Sequence, residues 1–472
     1  MMTRLPALAV SCVAGLLLAG CAQQTSYVRP AANLPSTYVN GQPEATGGTM
    51  DAWWKRFGDA RLDALVDQVL ARNNSLAQSM IAVERAQLQV GLSVANPTVS
   101  ASLSSNETVL GSSALSPNSV STGIDGGQIG STHSSGIDVS VSYELDLFGR
   151  LAATRDVKRF EAQASAGDYA AARLSLIANT VDFYYQLAYL NERASLARDS
   201  VGYAEKTLQL ARALRSAGAA SQLELSEAEQ SLLSQRSTLE DLQRQRSEVR
   251  SAIDLLLDGQ RWLPDAEPSG LGEASPPPVA PGMPADLLSR RPDVVAAELR
   301  LREQLRQVDV THLNFYPRLT LTGELGTSSQ ELSNVVNNPV GILGANLLLP
   351  FLQVDQVRLQ NRDAKLAYRN AVIGFRQTLY QALTDVENAL VDRNQYAKQS
   401  RLLDSSLQAA RRVEALDETL YRAGSTTLKT WLDAQQTRRD VEASLAQSLL
   451  NERTSQVTLY KALGGDERTT FQ

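Results

Sequence analysis

A chain of 472 residues has room for two or three ordinary domains, and 43% apolar with 20% charged residues is the balance of a folded protein, not a disordered one. A net charge of −6 argues against nucleic acid, which is held by clustered Lys and Arg. Aromatics are scarce at 6%, while Ala, Leu, Gln, Arg and Ser are abundant, a mixture suited to long helices and not to a thick aromatic core.

In chain order, residues 1–20 read as a targeting segment: Arg4 supplies the positive start, and Ala7 to Leu18 is an apolar run too short to span a bilayer as a helix. Leu18-Ala19-Gly20-Cys21 then resembles the bacterial lipobox, whose cysteine becomes the first mature residue and carries diacylglycerol and an N-palmitoyl group. Cys12 lies in the removed segment, so Cys21 is the one mature cysteine and a disulfide framework is excluded. Ala22 follows it where an inner-membrane retention signal would place Asp, which points to the outer membrane. Beyond Cys21 no run of about 18 apolar residues occurs, so a membrane crossing has to be a closed barrel.

Residues 21–96 are expected to hold the lipidated N-terminal segment and a first helix, and residues 97–148 two strands around an exposed loop. The strand pattern is weak over 97–109 and clear over 136–148, where Ile137, Val139, Val141, Tyr143, Leu145 and Leu147 alternate; the Ser/Gly/Asn-rich stretch 104–135 reads as the loop. Residues 149–259 predict a long helical hairpin. No proline lies between Pro117 and Pro264, and Arg150 to Ala217 steps in threes and fours, a 68-residue helix of roughly 100 Å. The second arm carries a seam through Leu225, Ala228, Leu232, Gln235, Leu239, Leu242, Arg246, Val249, Ile253 and Leu256, a coiled-coil repeat with two polar interruptions. Residues 260–284 are a proline-rich linker.

The same succession is expected again: a helix in 285–315, two strands in 316–351 around a loop from Thr327 to Pro339, a long hairpin in 352–465, and a tail, 466–472. The repetition is visible in the residues. AGAASQLELSEA (217–228) matches AGSTTLKTWLDA (423–434), so that Gly218 maps onto Gly424 and Gly259 onto Gly465. LDLFGR (145–150) likewise matches LLPFLQ (348–353), and the whole is read as an internal duplication. Four membrane-length strands fall short of the about eight that close a small barrel, so partner copies are needed: two give eight strands, three give twelve.

Enzymatic chemistry has little to work with. The two histidines are His133, expected in the first loop, and His312, expected at a helix end; neither has a cysteine or second histidine in its segment, and no metal or nucleophile constellation can be assembled. No phosphate-binding or dinucleotide fingerprint occurs, and the acidic residues sit beside Arg and Lys on helix faces. The chain is therefore read as a non-enzyme without a cofactor beyond the lipid on Cys21. Mature methionines are Met50, Met80 and Met283 alone, which disfavours a thioether-lined copper or silver route.

Four stretches together resemble the outer-membrane factors of tripartite efflux systems, in the NodT-type lipoprotein branch with TolC-like architecture. They are Trp53-Trp54-Lys55-Arg56-Phe57-Gly58-Asp59 with Leu62, Leu65, Asn74 and Leu76; Leu145 to Arg150; Arg291-Pro292-Asp293-Val294 running into Phe315-Tyr316-Pro317-Arg318-Leu319; and Tyr421 to Gln435, closing with Leu459 to Gly465. The similarity spans nearly all of the mature chain. It implies an α+β membrane protein: a homotrimer with a 12-stranded outer-membrane β-barrel, four strands per chain, continuous with a long α-helical periplasmic barrel. It implies as partners a periplasmic adaptor (membrane fusion protein) and an inner-membrane pump of the resistance-nodulation-division type, and as function the passage of drugs or other small solutes to the cell exterior. A TolC-like duct for type I protein secretion is the alternative, disfavoured by the lipobox and Trp53-Trp54; an adaptor lipoprotein is another, disfavoured by the two hairpins.

The resemblance also implies a periplasmic gate at the tip turns Gly218 and Gly424. Asp433 matches an aspartate that faces the tunnel axis, where three copies would form an acidic ring, and Tyr421 matches a tyrosine that ties the tip shut. The chain departs from the family at Lys429, where an aliphatic residue is usual, and at Gln436, where Arg is usual; Lys429 and Asp433, at i and i+4, are spaced to pair within one helix, which predicts a polar gate.

Overall fold

The computed structural model describes residues 25–40, 52–93, 95–110, 130–272, 283–329, 337 and 339–465. Cys21, the leader, the tail 466–472 and the middle of each expected loop lie outside the described residues. The helices are α1 (Ala60–Arg72), α2 (Asn74–Leu92), α3 (Arg150–Ser216), α4 (Gln222–Leu256), α5 (Pro292–Leu313), α6 (Val354–Arg422) and α7 (Leu428–Ala462), with a 3-10 turn at Trp53–Phe57 and a one-turn helix at Leu287–Arg290. The strands are β1 (Thr98–Leu110), β2 (Gly130–Leu145), β3 (Arg318–Ser329) and β4 (Pro339–Leu348). Helix, two strands, a helix of 67 or 69 residues and one of 35 thus follow each other twice.

Two expectations need correction. The segment read as one first helix is two, because Asn73 breaks it: its backbone is extended, its Oδ1 accepts the Leu76 N–H at 3.0 Å, and its Nδ2 donates to the Leu256 carbonyl at 3.2 Å. The loops are also shorter than polarity suggested. β1 runs on to Leu110, β2 starts at Gly130, and His133 lies in that strand, in register opposite Glu107. β3 likewise extends through Thr327 to Ser329, and β2 ends at Leu145, short of the expected 148. Serine and glycine read as loop in these stretches, but a strand with one solvated face accepts them there.

The chain divides into two compact units. The first comprises described residues up to Arg29, Ala86–Glu161 and Leu301–Ala371. Its strands form one antiparallel sheet in the order β1-β2-β3-β4, so β1 and β4 each lack a neighbour on their outer side among the described residues. The register sorts the side chains by face. Val99, Val141, Gly323 and Leu343 align across the sheet, as do Leu103 with Ile137, and Tyr143 with Leu321 and Ala345, so one face is apolar from edge to edge. The opposite face is polar over β1 to β3, with Ser100, Ser140 and Glu324 in one row and Ser142 and Thr322 in the next, while β4 adds Val340 and Ile342 to it. The apolar face is uncovered: Val99 is 68% exposed and Leu343 93%.

At the base of the sheet the motif Leu145 to Arg150 turns strand into helix. Asp146 accepts the Leu151 and Ala152 N–H groups at 2.9 Å each, satisfying two of the four donors that a helix start leaves open. Arg150 returns to Glu144 at 2.8 Å, and Phe148 packs on Tyr316 with ring centroids 5.0 Å apart. Beside it Ala153 and Val157 of α3 meet Val310 of α5.

The second unit contains Pro30–Arg85, Ala162–Arg300 and the described residues from Val372 on. Three of the sequence motifs meet in it. Trp53, 1% exposed, stacks on Tyr460 at 4.9 Å, and Asp59 caps α1 while accepting the Tyr184 hydroxyl. Arg291 is the polar centre of the same region. It forks onto Asp293 at 2.7 Å, pairs with Asp385 of α6 at 3.1 Å, and donates to the carbonyls of Ala382 and Ala462. Gly464 sits against it in the left-handed region, where a Cβ would stand 2.6 Å from the Arg290 carbonyl oxygen. The linker is tied down at Glu267, which is nearly buried, accepts Arg246 and forms an ion pair with Arg250, so the arginine in the α4 seam is a partner of the linker.

Candidate functional site at the hairpin tips

Both hairpins reverse direction by the same hydrogen bonds, 206 residues apart in the chain. In the first, Gly218 N–H donates to Arg215 O and Ala219 N–H to Leu214 O; in the second, Gly424 N–H donates to Tyr421 O and Ser425 N–H to Leu420 O. These are the paired bonds of a glycine-terminated helix, and they require a left-handed residue at the glycine, with φ of 76° and 74°. The next helix then starts on a hydroxyl. Ser221 forms a reciprocal capping box with Glu224, and Thr427 accepts the Thr430 N–H. Open space surrounds both glycines, so an added methyl group meets backbone strain alone. Gly218→Ala and Gly424→Ala are each expected to lower stability by about 1–2 kcal/mol, seen as a lower denaturation midpoint; unchanged midpoints in both would refute the turn assignment.

The gate candidates lie at the start of α7 and the end of α6. Lys429 Nζ stands 3.0 Å from Asp433, and both side chains are about two-thirds exposed, 66% and 65%. The i,i+4 pair expected from the spacing thus forms, on a surface that is open in the single chain. Tyr421 is placed differently. It is 8% exposed and stacked on Trp431 at 5.3 Å, and its hydroxyl is buried without a hydrogen-bond partner among the described residues. Burial, and secondarily the charge of Glu224, hold its phenol above the ordinary range.

The core beneath the tips joins the two hairpins. Ala204, Leu208 and Ala211 of α3 and Ala228 and Leu232 of α4 close around Tyr421, Leu428 and Trp431. The Tyr203 hydroxyl donates to Glu418 at 2.9 Å, and Glu418 also takes Arg422 at 2.7 Å. Further along α6 and α7, Arg438 bridges Glu414 and Glu442, and Arg411 adds to Glu442 at 3.0 Å. Sequence reasoning passed over Trp431 and Tyr203. The usable signal was that Trp431 maps onto the seam residue Leu225, a core position, under the 206-residue shift.

His312 lies in the last turn of α5, its ring edge-on to Tyr316. Among the described residues no cluster of three or more His, Cys, Asp or Glu is placed to hold a metal ion, and no helix is long and apolar enough to cross a membrane.

Comparison with known proteins gives consistent matches along the chain. The profile described as outer membrane efflux protein matches residues 65–259 and 283–465. The pyoverdine export outer membrane protein OpmQ of Pseudomonas aeruginosa is 29% identical over 458 residues, covering 95% of each chain. The probable outer membrane lipoprotein SilC of Salmonella typhimurium is 25% identical, covering 98% of this chain and 99% of its own. Among solved structures, the outer-membrane channel OprN superposes with a TM-score of 0.80 at 25% identity, covering 94% of this chain and 99% of that one.

Proposed function

The chain belongs to the outer membrane efflux protein family, and from that membership and the two hairpins we propose the assembly in which it works. It is the outer-membrane channel component of a tripartite efflux system. Three copies form one duct, with a 12-stranded barrel from four strands each and a helical tunnel from the paired hairpins. The observation that carries this reading is the sheet: four strands of 10 to 16 residues, long enough to cross a bilayer, with one face apolar across all four and the other polar over β1 to β3, and with neither edge paired among the described residues. A single open sheet of this kind in lipid leaves two rows of backbone groups unsatisfied, which closure with further copies removes. An exposed apolar row on α6, with Leu359, Leu366, Ile373 and Tyr380 at intervals of seven, supports helix packing between copies in the same way. The twofold succession of elements and the matched tip turns support the duplication.

The periplasmic adaptor and the inner-membrane pump are the partners of this assembly, and drugs or other small solutes its cargo. Cys21 carries the lipid anchor, a reading supported by the lipobox and by the lipoprotein name of SilC. Palmitate label is expected in the wild-type chain and absent from Cys21→Ser; label persisting in the variant would refute it.

The tips form the resting gate. The exposed Lys429–Asp433 pair supports a polar constriction, and the placement of Tyr421 in the packed cluster favours a role in holding α6 to α7 over that of a free latch. Two measurements on detergent-purified protein test the assembly and its gate. The unboiled chain is expected to run on a gel as a heat-sensitive trimer, and in planar bilayers Asp433→Ala is expected to alter resting conductance and block by divalent cations. A chain that runs as a monomer with its own closed barrel overturns the duct. Conductance and cation block unchanged in Asp433→Ala overturn the acidic ring alone.

A further inference from the structure

The helices that adjoin the sheet in the first unit are of two kinds. α3 follows β2 and α5 precedes β3, the two inner strands. These helices pack on each other through Ala153, Val157 and Val310, and over residues 301–313 of α5 only Gln307 and His312 are exposed. α2 precedes β1 and α6 follows β4, the two strands with an open edge. All four connections lie at one end of the sheet, because the starts of β1 and β3 align with the ends of β2 and β4.

Each edge helix carries an apolar row that its own chain leaves uncovered. On α2, Ala86 and Val90 are half-buried, while Leu88 and Leu92 are at least half exposed. On α6, Val357, Asn361, Ala364 and Tyr368 are half-buried, while Leu359 and Leu366 are at least half exposed. A step of two residues turns a helix by about 200°. The uncovered row therefore lies on the side of each helix opposite to the one the chain covers. A helix with a single neighbour needs one apolar stripe; a helix between two neighbours needs a second one opposite the first.

We infer that the two rows meet each other across the seam between copies: Leu88 and Leu92 of α2 in one copy pack against Leu359 and Leu366 of α6 in the next. The inference rests on the duct reading and names the surfaces that close the duct below the barrel. Continuity with the sheet selects a second copy as the occupant. Pairing β4 of one copy with β1 of the next satisfies both open edges, and it brings α6 of the first copy beside α2 of the second at the same end of the sheet. α2 runs towards the sheet and α6 away from it, so the helices meet antiparallel, as the strands do. The contact is head-to-tail, each copy offering α2 on one side and α6 on the other, which is the arrangement that builds rings.

The experiment co-expresses two differently tagged full-length chains, one with Leu88→Cys and the other with Leu359→Cys or Leu366→Cys, and treats the detergent-purified protein with a bis-maleimide. A dimer carrying both tags is expected with at least one of the two α6 positions, which lie a heptad apart on one face and so sample the depth of the seam. It is expected to be absent when the first chain carries Gln307→Cys on α5 instead, and absent with wild-type chains, whose Cys21 is common to all. In the unboiled oligomer the thiols of Leu88→Cys and Leu366→Cys are expected to resist a water-soluble maleimide, and that of Gln307→Cys to react. Loss of the oligomer in Leu88→Cys or Leu366→Cys, with Gln307→Cys still assembled, also supports the seam. Heat-sensitive oligomers that give no mixed dimer, or that react at Leu88→Cys as readily as at Gln307→Cys, overturn it and leave the duct standing, with the rows turned to lipid or to another protein. A wild-type chain that forms no oligomer overturns the duct and the seam together.

Discussion

Replacing Arg291 with alanine is expected to remove most of the assembled protein from the outer membrane. Its guanidinium is 12% exposed and holds four partners from three places in the chain: Asp293 at the start of α5, Asp385 and the Ala382 carbonyl in α6, and the Ala462 carbonyl at the end of α7. Truncation leaves two carboxylates and two carbonyls without the cation that offset their desolvation. The two carboxylates are 41% and 35% exposed and stay partly hydrated, so the loss is about 1–3 kcal/mol, still a sizeable share of the about 5–15 kcal/mol of a typical domain. Arg291→Lys should recover only part of the loss, because an ammonium cannot fork onto Asp293 while also reaching α6 and α7. The readout is the amount of heat-sensitive oligomer and its denaturation midpoint. Wild-type values in Arg291→Ala would refute the clamp.

The same site gives an acid limb to stability. Burial alone would raise the Asp293 carboxyl, but the hydrogen bond and charge of Arg291 outweigh it and hold the group below its ordinary range. A carboxyl depressed on folding adds stability above its unfolded value, and that contribution disappears as pH falls through the folded value. Wild-type protein should therefore lose stability on acidification below the ordinary carboxylate range, and Asp293→Asn should flatten that limb while lowering stability at neutral pH.

The sequence was most readable where one period governs many residues. The long helices follow from proline-free stretches with steps of three and four, and they are found at Arg150–Ser216 and Val354–Arg422. The glycine turns were equally plain, because a left-handed residue between two such helices leaves few choices of side chain. The strand ends were obscured because Ser131, Ser134, Ser135 and Gly136 have a loop's composition, yet pair in β2. The apolar face was visible in β2 and in the alternation of Leu319, Leu321, Gly323 and Leu325 in β3; register, which no single strand encodes, aligns the weaker rows of β1 and β4 with it. The tip residues show a different limit. Lys429 and Asp433 are four apart, so one helix decides their pairing. Tyr421 meets Trp431 across a turn and α3 across the hairpins, contacts that sequence spacing does not reveal.

The face assignment carries the other large effect. Val141 lies in the region where all four strands pair, aligned with Val99, Gly323 and Leu343 on the apolar face. Ser142 is its neighbour on the opposite face, in register with Thr98 and Thr322. If the apolar face meets lipid, Val141→Arg places a guanidinium in hydrocarbon, at a cost of up to about 2–4 kcal/mol per site. Each copy in an oligomer carries the substitution, so the cost recurs with every chain and assembly should fail. Ser142→Arg puts the same side chain, one residue away, on the opposite face, where charge is tolerated. The comparison holds strand, depth and added residue nearly constant and varies only the face. Heat-sensitive oligomer in the outer-membrane fraction should therefore be lost in Val141→Arg and kept in Ser142→Arg. The reverse pattern, or equal assembly of the two, would mean that the apolar rows of β1 to β4 do not face lipid, and the barrel reading would fall with them.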